Sequence, residues 1–386
     1  MAMKNTTVLI SGAGIGGPAL AHWLHRLGCV VTVVERASAP RPGGQAVDFK
    51  GPTQRAVLAR MGLLDAVRSR QTGGVDQTVV DASGRRLAVI PGAFTGGEIE
   101  IPRGDLAALL HERTAECEYV FGDSVTSLTE TPHGVHVTFR HAAPRTFDLV
   151  VGADGIHSTV RRLAFGPERD HVRHLGYYYA LVDLGDVGGE PQLYNEPGRM
   201  VAVGGPKAPA FFVFASAELT YDRYDVAAQR DILRAAYRGA GWRVPELMAR
   251  VADAESVYLD SISRVETTTC VKGRVALVGD AGYGNTLGGF GSGLAIVGAY
   301  VLAGELSVAG GDHVVAFRRY EDRMRGLTKV VRKANAGPFL APPSALRIRA
   351  RNAMFNSKPV LSAMLKMTDW FATDPTLPDY PLPVSV

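Results

Sequence analysis

The sequence predicts an α/β fold: a Rossmann-like first domain, an antiparallel β-sheet inserted into it, and C-terminal helices. Three observations predict it. A glycine cluster near residue 12 joins a short apolar run to a helix-like stretch. Buried strand-like runs of the same kind return near residues 150 and 275. Between them, from about 172 to 265, the pattern changes to aromatic-rich strand-like runs.

The elements follow in order. Residues 7–11 and 29–35 read as strands flanking a helix at about 14–27, a βαβ start. "GPTQRAVLARMGLLDAVRSRQ" (51–71) carries Val57, Leu58, Met61, Leu64 and Val67 at helical spacing. "IPRGDLAALLHERTA" (101–115) is an amphipathic helix with Asp105 in its first turn, where the helix dipole favours an anion. "VTSLTETPHGVHVTFR" (125–140) alternates around a His-Gly turn and reads as a hairpin. "TFDLVVGADG" (146–155) is a buried strand of the first domain. "YYYALVDL", "RMVAVGG" and "AFFVFASA" are strands of the insert, interrupted by a helix at 226–241. "GRVALVGDAG" (273–282) returns to the first domain, and long helices follow. Pro-rich "GPFLAPPS" separates a last helix, about 344–372, from an extended tail. The domains are therefore 1–171 with 266–336, 172–265 as the insert, and 337–386 as helix and tail. No internal repeat is present.

Composition narrows the function classes. The chain has 386 residues, 46% hydrophobic and 21% charged, with formal net charge +4. This is a globular balance with room for a sizeable core. The densest basic stretch, "RRYEDRMRGLTKVVRK" (318–333), alternates in sign and reads as a solvated helix face, so no nucleic-acid partner is expected. Cys29, Cys117 and Cys270 are far apart, which argues against a disulfide scaffold or zinc site and fits a reducing cytoplasm. The ten histidines show no metal-ligand spacing. Glycines begin at Gly12, too early for a cleaved signal peptide, and "GLAIVGAYVLAGELSVAGG" (293–311) reads as a buried helix rather than a membrane span. A monomer or homodimer without membrane attachment is expected.

Three motifs carry chemistry. Gly12, Gly14 and Gly17 form G-x-G-x-x-G between strand and helix. Gly12 permits a tight turn, Gly14 lets backbone approach a pyrophosphate, and Gly17 lets helix and strand pack closely. The helix N-terminus then offers N–H groups and a positive dipole end. Glu35 ends the next strand, placed to accept hydrogen bonds from ribose, with Arg36 beside it. This motif serves NAD and FAD alike. In "VALVGDAG", a strand delivers Asp280 at its C-terminal end, where open α/β sheets bind ligands. A carboxylate there can hold a hydroxylated linker, and the helix that begins near Gly291 and Gly293 can face the pyrimidine edge of a flavin. In "DLVVGADGIHSTVRR", Asp154 and Gly155 close a strand before a helix bearing Ser158 and Arg161; a capped corner is the bland reading.

The three motifs in this order and spacing resemble the FAD-dependent aromatic hydroxylases, the single-component flavoprotein monooxygenases of the p-hydroxybenzoate hydroxylase fold. The resemblance spans roughly residues 5–335. "GGQAVDFKGPTQRAVLARMGLLD" and "IPRGDLAALL" look most like tetracycline-modifying and polyketide-tailoring members. The resemblance implies that the first domain binds FAD and the inserted sheet binds substrate. It implies that the glycine loop and Glu35 hold the ADP half, that Arg103 contacts the cofactor, and that Asp280 binds the ribityl-pyrophosphate region. Asp154-Gly155 is linked to FAD and NAD(P)H use, and Asp48 matches a position near the flavin. The commonest family form after Gly-Asp is A-A-H and then proline; here Ala281-Gly282-Tyr283 precedes a proline-free "GNTLGGFGSG". The thioredoxin-like domain of larger members is expected to be absent.

The resemblance also implies the reaction: NAD(P)H visits transiently to reduce FAD, O₂ reacts to give a C4a-hydroperoxide, and one oxygen enters an aromatic or polycyclic substrate. No nucleophile elbow or triad is expected, because the flavin carries the chemistry. Candidate lining residues are Tyr177, Tyr178, Tyr179, Tyr194, Phe211, Phe212 and Phe214, with Tyr177, Tyr179, Tyr194, Phe212 and Phe214 preferred. Phe211 and Phe212 point to opposite faces, so one of them alone can meet a ligand. Alternatives are a Baeyer–Villiger, epoxidase or dehydrogenase outcome, or a FAD-containing binding protein. Trp23, Trp242 and Trp370 do not supply a halogenase's paired tryptophans.

Overall fold

The computed structural model describes residues 3–40, 46–95, 99–204, 209–288, 291–329, 333–371 and 377–382. The chain starts with β1 (Thr7–Ser11), α1 (Gly16–Arg26) and β2 (Val30–Glu35). Then come β3 (Ala46–Phe49), α2 (Gly51–Arg60), α3 (Leu64–Ser69), β4 (Gln77–Val80), β5 (Arg86–Ile90), α4 (Gly92–Thr95), β6 (Ile99–Pro102) and α5 (Arg103–Glu112). The helical pattern over 51–71 is split at Gly62, whose φ of 68° ends α2 and lets α3 start on a new axis. β7 (Glu118–Phe121), β8 (Val125–Thr131), β9 (Gly134–Phe139), β10 (Arg145–Phe147), β11 (Leu149–Gly152) and α6 (Thr159–Ala164) follow.

Residues 172–265 supply β12 (Val172–Val182), β13 (Gln192–Glu196), β14 (Arg199–Val203), β15 (Ala210–Ala215), α7 (Val226–Ala236), α8 (Val244–Asp253) and β16 (Val257–Val265). The sequence pattern predicts one helix here; Trp242, with φ of 54°, turns the chain into a second. β17 (Val271–Lys272), β18 (Val275–Leu277), α9 (Asp280–Tyr283), α10 (Gly291–Val308) and α11 (His313–Thr328) complete the nucleotide-fold part. Last come α12 (Gly337–Leu340), α13 (Ala345–Asn356) and α14 (Lys358–Phe371). The expected single last helix is two, separated at Ser357, with Pro359 in the first turn of α14 where its missing N–H costs nothing.

The first sheet has the order β17-β18-β11-β1-β2-β7, parallel except for the β17–β18 pair. β1, β2 and β11 are buried along almost their whole length, which is why they read as continuous apolar runs. α1 and α10 pack together against this sheet. α10 is long and apolar enough to cross a membrane by length and composition, but 78% of it is buried inside the protein. The second sheet has the order β16-β12-β15-β14-β13-β4-β5, antiparallel except where β13 runs parallel to β4. β4 and β5 come from residues 77–90, inside the stretch read as first domain, so the second sheet draws on chain from both sides of β11.

The tail is extended and docked. Tyr380 and Leu382 are buried, the Tyr380 hydroxyl donates to Glu305 at 2.6 Å, and Tyr300 donates to the Pro378 carbonyl at 3.0 Å.

His22 is buried in α1, and burial, with the nearby Arg26 and Arg113 charges, lowers its pKa to about 4. The unfolded chain binds this proton from near pH 6.5 and the folded chain does not until near pH 4. His22 therefore destabilises the fold progressively as pH falls from 6.5 to 4, reaching roughly 3 kcal/mol. Urea denaturation at pH 7 and pH 4.5 should show His22→Leu losing less stability than wild type across that interval. Equal losses would remove His22 from the acid limb.

Candidate functional site

Parallel pairing brings three distant loops to one edge. Ser11 is in register with Gly152, and Gly152 with Leu277, so the segments after β1, β11 and β18 emerge side by side. Gly12 has φ of 109°, and a side chain there would begin 2.5 Å from the Ala153 carbonyl oxygen. A side chain at Gly17 would overlap the Gly12 carbonyl. The loop can make this turn only with glycine at both places. Gly14 has open space, its nearest neighbour being the Arg103 guanidinium, 3.5 Å from where a Cβ would stand.

Glu35 buttresses the loop. Its carboxylate accepts from the Ala13 N–H at 2.9 Å and the Ala37 N–H at 2.8 Å. Arg36 lies over the Tyr224 ring, 4.1 Å from its centre, linking the end of β2 to the insert. Asp48 sits on β3, opposite Glu100 of β6, and β3 packs against α10.

Asp154 and Asp280 differ in kind. Asp154 accepts from Ser158 Oγ, from the Thr159 N–H at 2.8 Å, from the Val160 N–H at 3.1 Å and from Ser11 Oγ at 3.4 Å. Burial raises its pKa against the pull of those bonds. It is the corner cap, shared with Ser158, whose Oγ accepts from the Arg161 N–H at 2.9 Å. Gly155 follows with φ of 82°. The buried Arg161 guanidinium donates to the Ala281 carbonyl at 2.9 Å and so ties this corner to the Asp280 loop.

The Asp280 side chain, half-buried, has no hydrogen-bond partner among the described residues. Burial raises its pKa, the Arg103 charge opposes that rise and Asp260 adds to it. Its Oδ1 lies 3.4 Å from where a Gly291 side chain would begin, at the N-terminus of α10. Arg103, first residue of α5, is exposed and likewise makes no hydrogen bond among the described residues. Gly293 allows the close α10–α2 contact: a side chain there would collide with Gln54 of α2. Of the loop after Asp280, residues 289 and 290 lie outside the described residues.

The second sheet has two unlike faces. Tyr178, Tyr194, Phe212 and Phe214 pack with Leu233, Tyr237, Leu247 and Val251 of α7, α8 and their junction. Tyr194 also stacks on Trp242 and donates to Glu196 at 2.7 Å. Tyr194, Phe212 and Phe214, expected to line a ligand, are thus filled in by the helical layer. Phe211, not Phe212, shares a face with Tyr177 and Tyr179. Tyr177 packs on Gly337 of α12, and Tyr179 meets Phe211 edge-on. Tyr179 also feels the Arg103 charge, which puts this face toward the glycine loop and Asp280. Sequence reading missed Tyr258 and Asp260 on the same face; the alternation in "SVYLDSISRV", polar and aromatic against Val257 and Leu259, is the signal.

Comparison with known proteins decides what kind of protein this site belongs to. The FAD binding domain family model matches residues 5–313. A flavin-dependent monooxygenase of Legionella longbeachae is 35% identical over 342 residues, covering 86% of this chain and 88% of its own length. This chain belongs to the flavin-dependent monooxygenases of the FAD binding domain family. An uncharacterised Mycobacterium tuberculosis protein is 39% identical over 338 residues, covering 84% of this chain and 91% of its own. The crystal structure of tetracycline destructase Tet(55) is 33% identical with TM-score 0.82, covering 97% of this chain and 99% of its own. A variant of Klebsiella pneumoniae HpxO complexed with FAD has 25% identity and TM-score 0.72, covering 96% of this chain and the whole of its own.

The residues present fit FAD. The Gly14 backbone is open, Arg103 points a charge at it, and Asp280 is a half-buried acceptor without a donor among the described residues. A desolvated, unsatisfied carboxylate costs stability that a ligand hydroxyl repays. Asp280→Asn should therefore weaken FAD binding by roughly tenfold or more while raising the unfolding midpoint of the flavin-free protein. Flavin fluorescence titration and thermal unfolding of the two apoproteins measure both; unchanged FAD affinity would remove Asp280 from the site. Glu35→Ala should raise the FAD dissociation constant too, through loss of the bond to the Ala13 N–H.

Proposed function

We propose that this chain uses FAD and NAD(P)H to insert one oxygen atom from O₂ into an aromatic or polycyclic, polyketide-like small molecule. The observation that carries the reading is the junction of Arg103, Asp280 and the α10 N-terminus beside the Tyr179 face of the second sheet. Neither Arg103 nor Asp280 has a hydrogen-bond partner among the described residues. In this reading residues 1–171 and 266–336 hold the cofactor, and 172–265, extended by β4 and β5, hold the substrate.

Bound FAD supplies the electron and oxygen transfer, with NAD(P)H as a transient donor. The protein supplies position and electrostatics. The glycine loop and the N-terminus of α1 present N–H groups to the pyrophosphate, and Arg103 adds a full positive charge. Glu35 keeps acceptor capacity for ribose hydroxyls while it anchors Ala13. Asp280 accepts from the hydroxylated linker. The N-terminus of α10, near Gly291, favours negative charge on the flavin's pyrimidine edge. Tyr177, Tyr179 and Phe211 supply apolar surface on one face of the second sheet, and α12 packs on Tyr177.

Similarity to a protein named tetracycline destructase makes tetracycline the first substrate to test. Purified FAD-loaded protein should oxidise NADH or NADPH faster when tetracycline is added, and mass spectrometry should find product heavier by one oxygen atom. Nicotinamide oxidation unaffected by tetracycline would reject this substrate class. Bound FAD that neither nicotinamide reduces would return the chain to a binding role.

A further inference from the structure

Tyr258 is 44% exposed, yet burial and the Asp260 charge push its pKa up to about 12. Its strand, β16, is bonded to the segment after Asp280: the Val265 N–H donates to the Gly284 carbonyl at 2.8 Å and the Thr286 N–H to the Ser263 carbonyl at 2.9 Å. β-sheet register sets the face: Tyr258 is opposite Leu181, Asp260 opposite Tyr179 and Ile262 opposite Tyr177, all on the side where Tyr179 and Tyr258 feel the Arg103 charge.

Its hydroxyl is constrained. A phenol has one proton and two lone pairs. The proton goes to Asp260 Oδ2 at 3.1 Å. Tyr179 reaches the oxygen only at 3.5 Å, a weak contact that a better donor displaces. What the oxygen offers the cleft is a lone pair. Asp260 cannot turn to change this: Oδ1 accepts from the Ser261 N–H at 2.7 Å, and both oxygens face His157 Nε2, at 3.0 and 3.2 Å. His157 Nδ1 lies 2.8 Å from Glu168 Oε1, which in turn faces Arg223 at 3.6 Å. His157 stands three residues after Asp154, so the cofactor-side corner grips the substrate-side strand.

We propose that Tyr258 determines specificity, accepting a hydrogen bond from a hydroxyl on the substrate, with Asp260 and His157 as the positioning residues that keep it an acceptor. The inference deepens the proposed function and rests on it. The favoured substrate carries a phenol or enol O–H; the same molecule with that group methylated leaves Tyr258 unpaired and is rejected.

His157 makes the preference pH-dependent. Burial opposes its charge, but hydrogen bonds to Asp260 and Glu168 outweigh that and raise its pKa; Arg223 works the other way. Arg161 and Asp154 on its own segment act more remotely, Arg161 through Glu168. Charged, the imidazole donates to both carboxylates. Neutral, it has one N–H for two acceptors, so when that N–H faces Glu168 the Ser261 N–H alone holds Asp260 besides Tyr258 itself.

The test compares 2-naphthol with 2-methoxynaphthalene, binding being read from the perturbed spectrum of bound FAD. Wild type should favour the naphthol by roughly tenfold. Tyr258→Phe should bring the ratio near one without loss of FAD. Asp260→Asn should do the same, because its amide can donate to Tyr258 and turn the phenol into a donor. The wild-type ratio should fall with rising pH below the naphthol's own ionisation, and His157→Gln, which keeps an N–H donor but does not titrate, should flatten that profile. Wild-type protein that takes up no FAD defeats the functional reading and this inference together. Flavin-loaded wild type that binds both compounds equally, a preference kept in Tyr258→Phe, or an unchanged pH profile in His157→Gln overturns this inference alone.

Discussion

The register of three parallel strands governs this molecule. Ser11, Gly152 and Leu277 lie abreast in the first sheet although more than a hundred residues separate each from the next. Each following loop alone is an ordinary strand-to-helix turn. Side by side they become a ligand edge, because parallel strands send all their C-terminal ends the same way. Close contact is enforced by what is missing: Gly12 leaves room for the Ala153 carbonyl, and Gly17 leaves room for Gly12 itself. Arg161 then bonds the second loop to the third. α1 and α10 start at this edge and pack along each other, Gly16 against Ala295, so two helix N-termini converge there. Behind them the tail is fastened by Tyr380, whose ring lies where a side chain at Gly304 would be.

Two buried groups away from the ligand edge are well matched: Tyr237 donates to the carbonyls of Met200 and Val213, and Glu305 is held by Arg323 and Tyr380. At the edge, half-buried Asp280 has no donor and exposed Arg103 no acceptor among the described residues. A fold selected for stability alone would not keep this arrangement, since desolvating an unsatisfied carboxylate is costly. Asp154, at the end of the neighbouring strand, shows the contrast, with four donors on its carboxylate.

The nucleotide half is more legible in the sequence than the insert, for a physical reason. G-x-G-x-x-G and the apolar runs before Asp154 and Asp280 are local patterns, and Gly17 answers to Gly12 within its own loop. The lining aromatics are not. Period-two alternation separates Phe211 from Phe212 but does not say which face α7 and α8 will cover. Those helices cover Tyr194, Phe212 and Phe214, and the opposite face carries Tyr179, Phe211 and Tyr258. Similarly, no local pattern in residues 77–90 announces that β4 will pair in parallel with β13 more than a hundred residues later.

Most strands and helices, the glycine turn and the carboxylates at strand ends can be read from the residues in order. They follow from short-range sterics and hydrophobic period, which a window of neighbours contains. Three outcomes belong to the folded molecule instead. α7 and α8 cover one face of the second sheet and not the other. His157 reaches across to Asp260. Asp280 is left without a donor among the described residues while Asp154 is fully capped. Each depends on which side chains remain unpaired after distant segments have docked, and no stretch of consecutive residues carries that information.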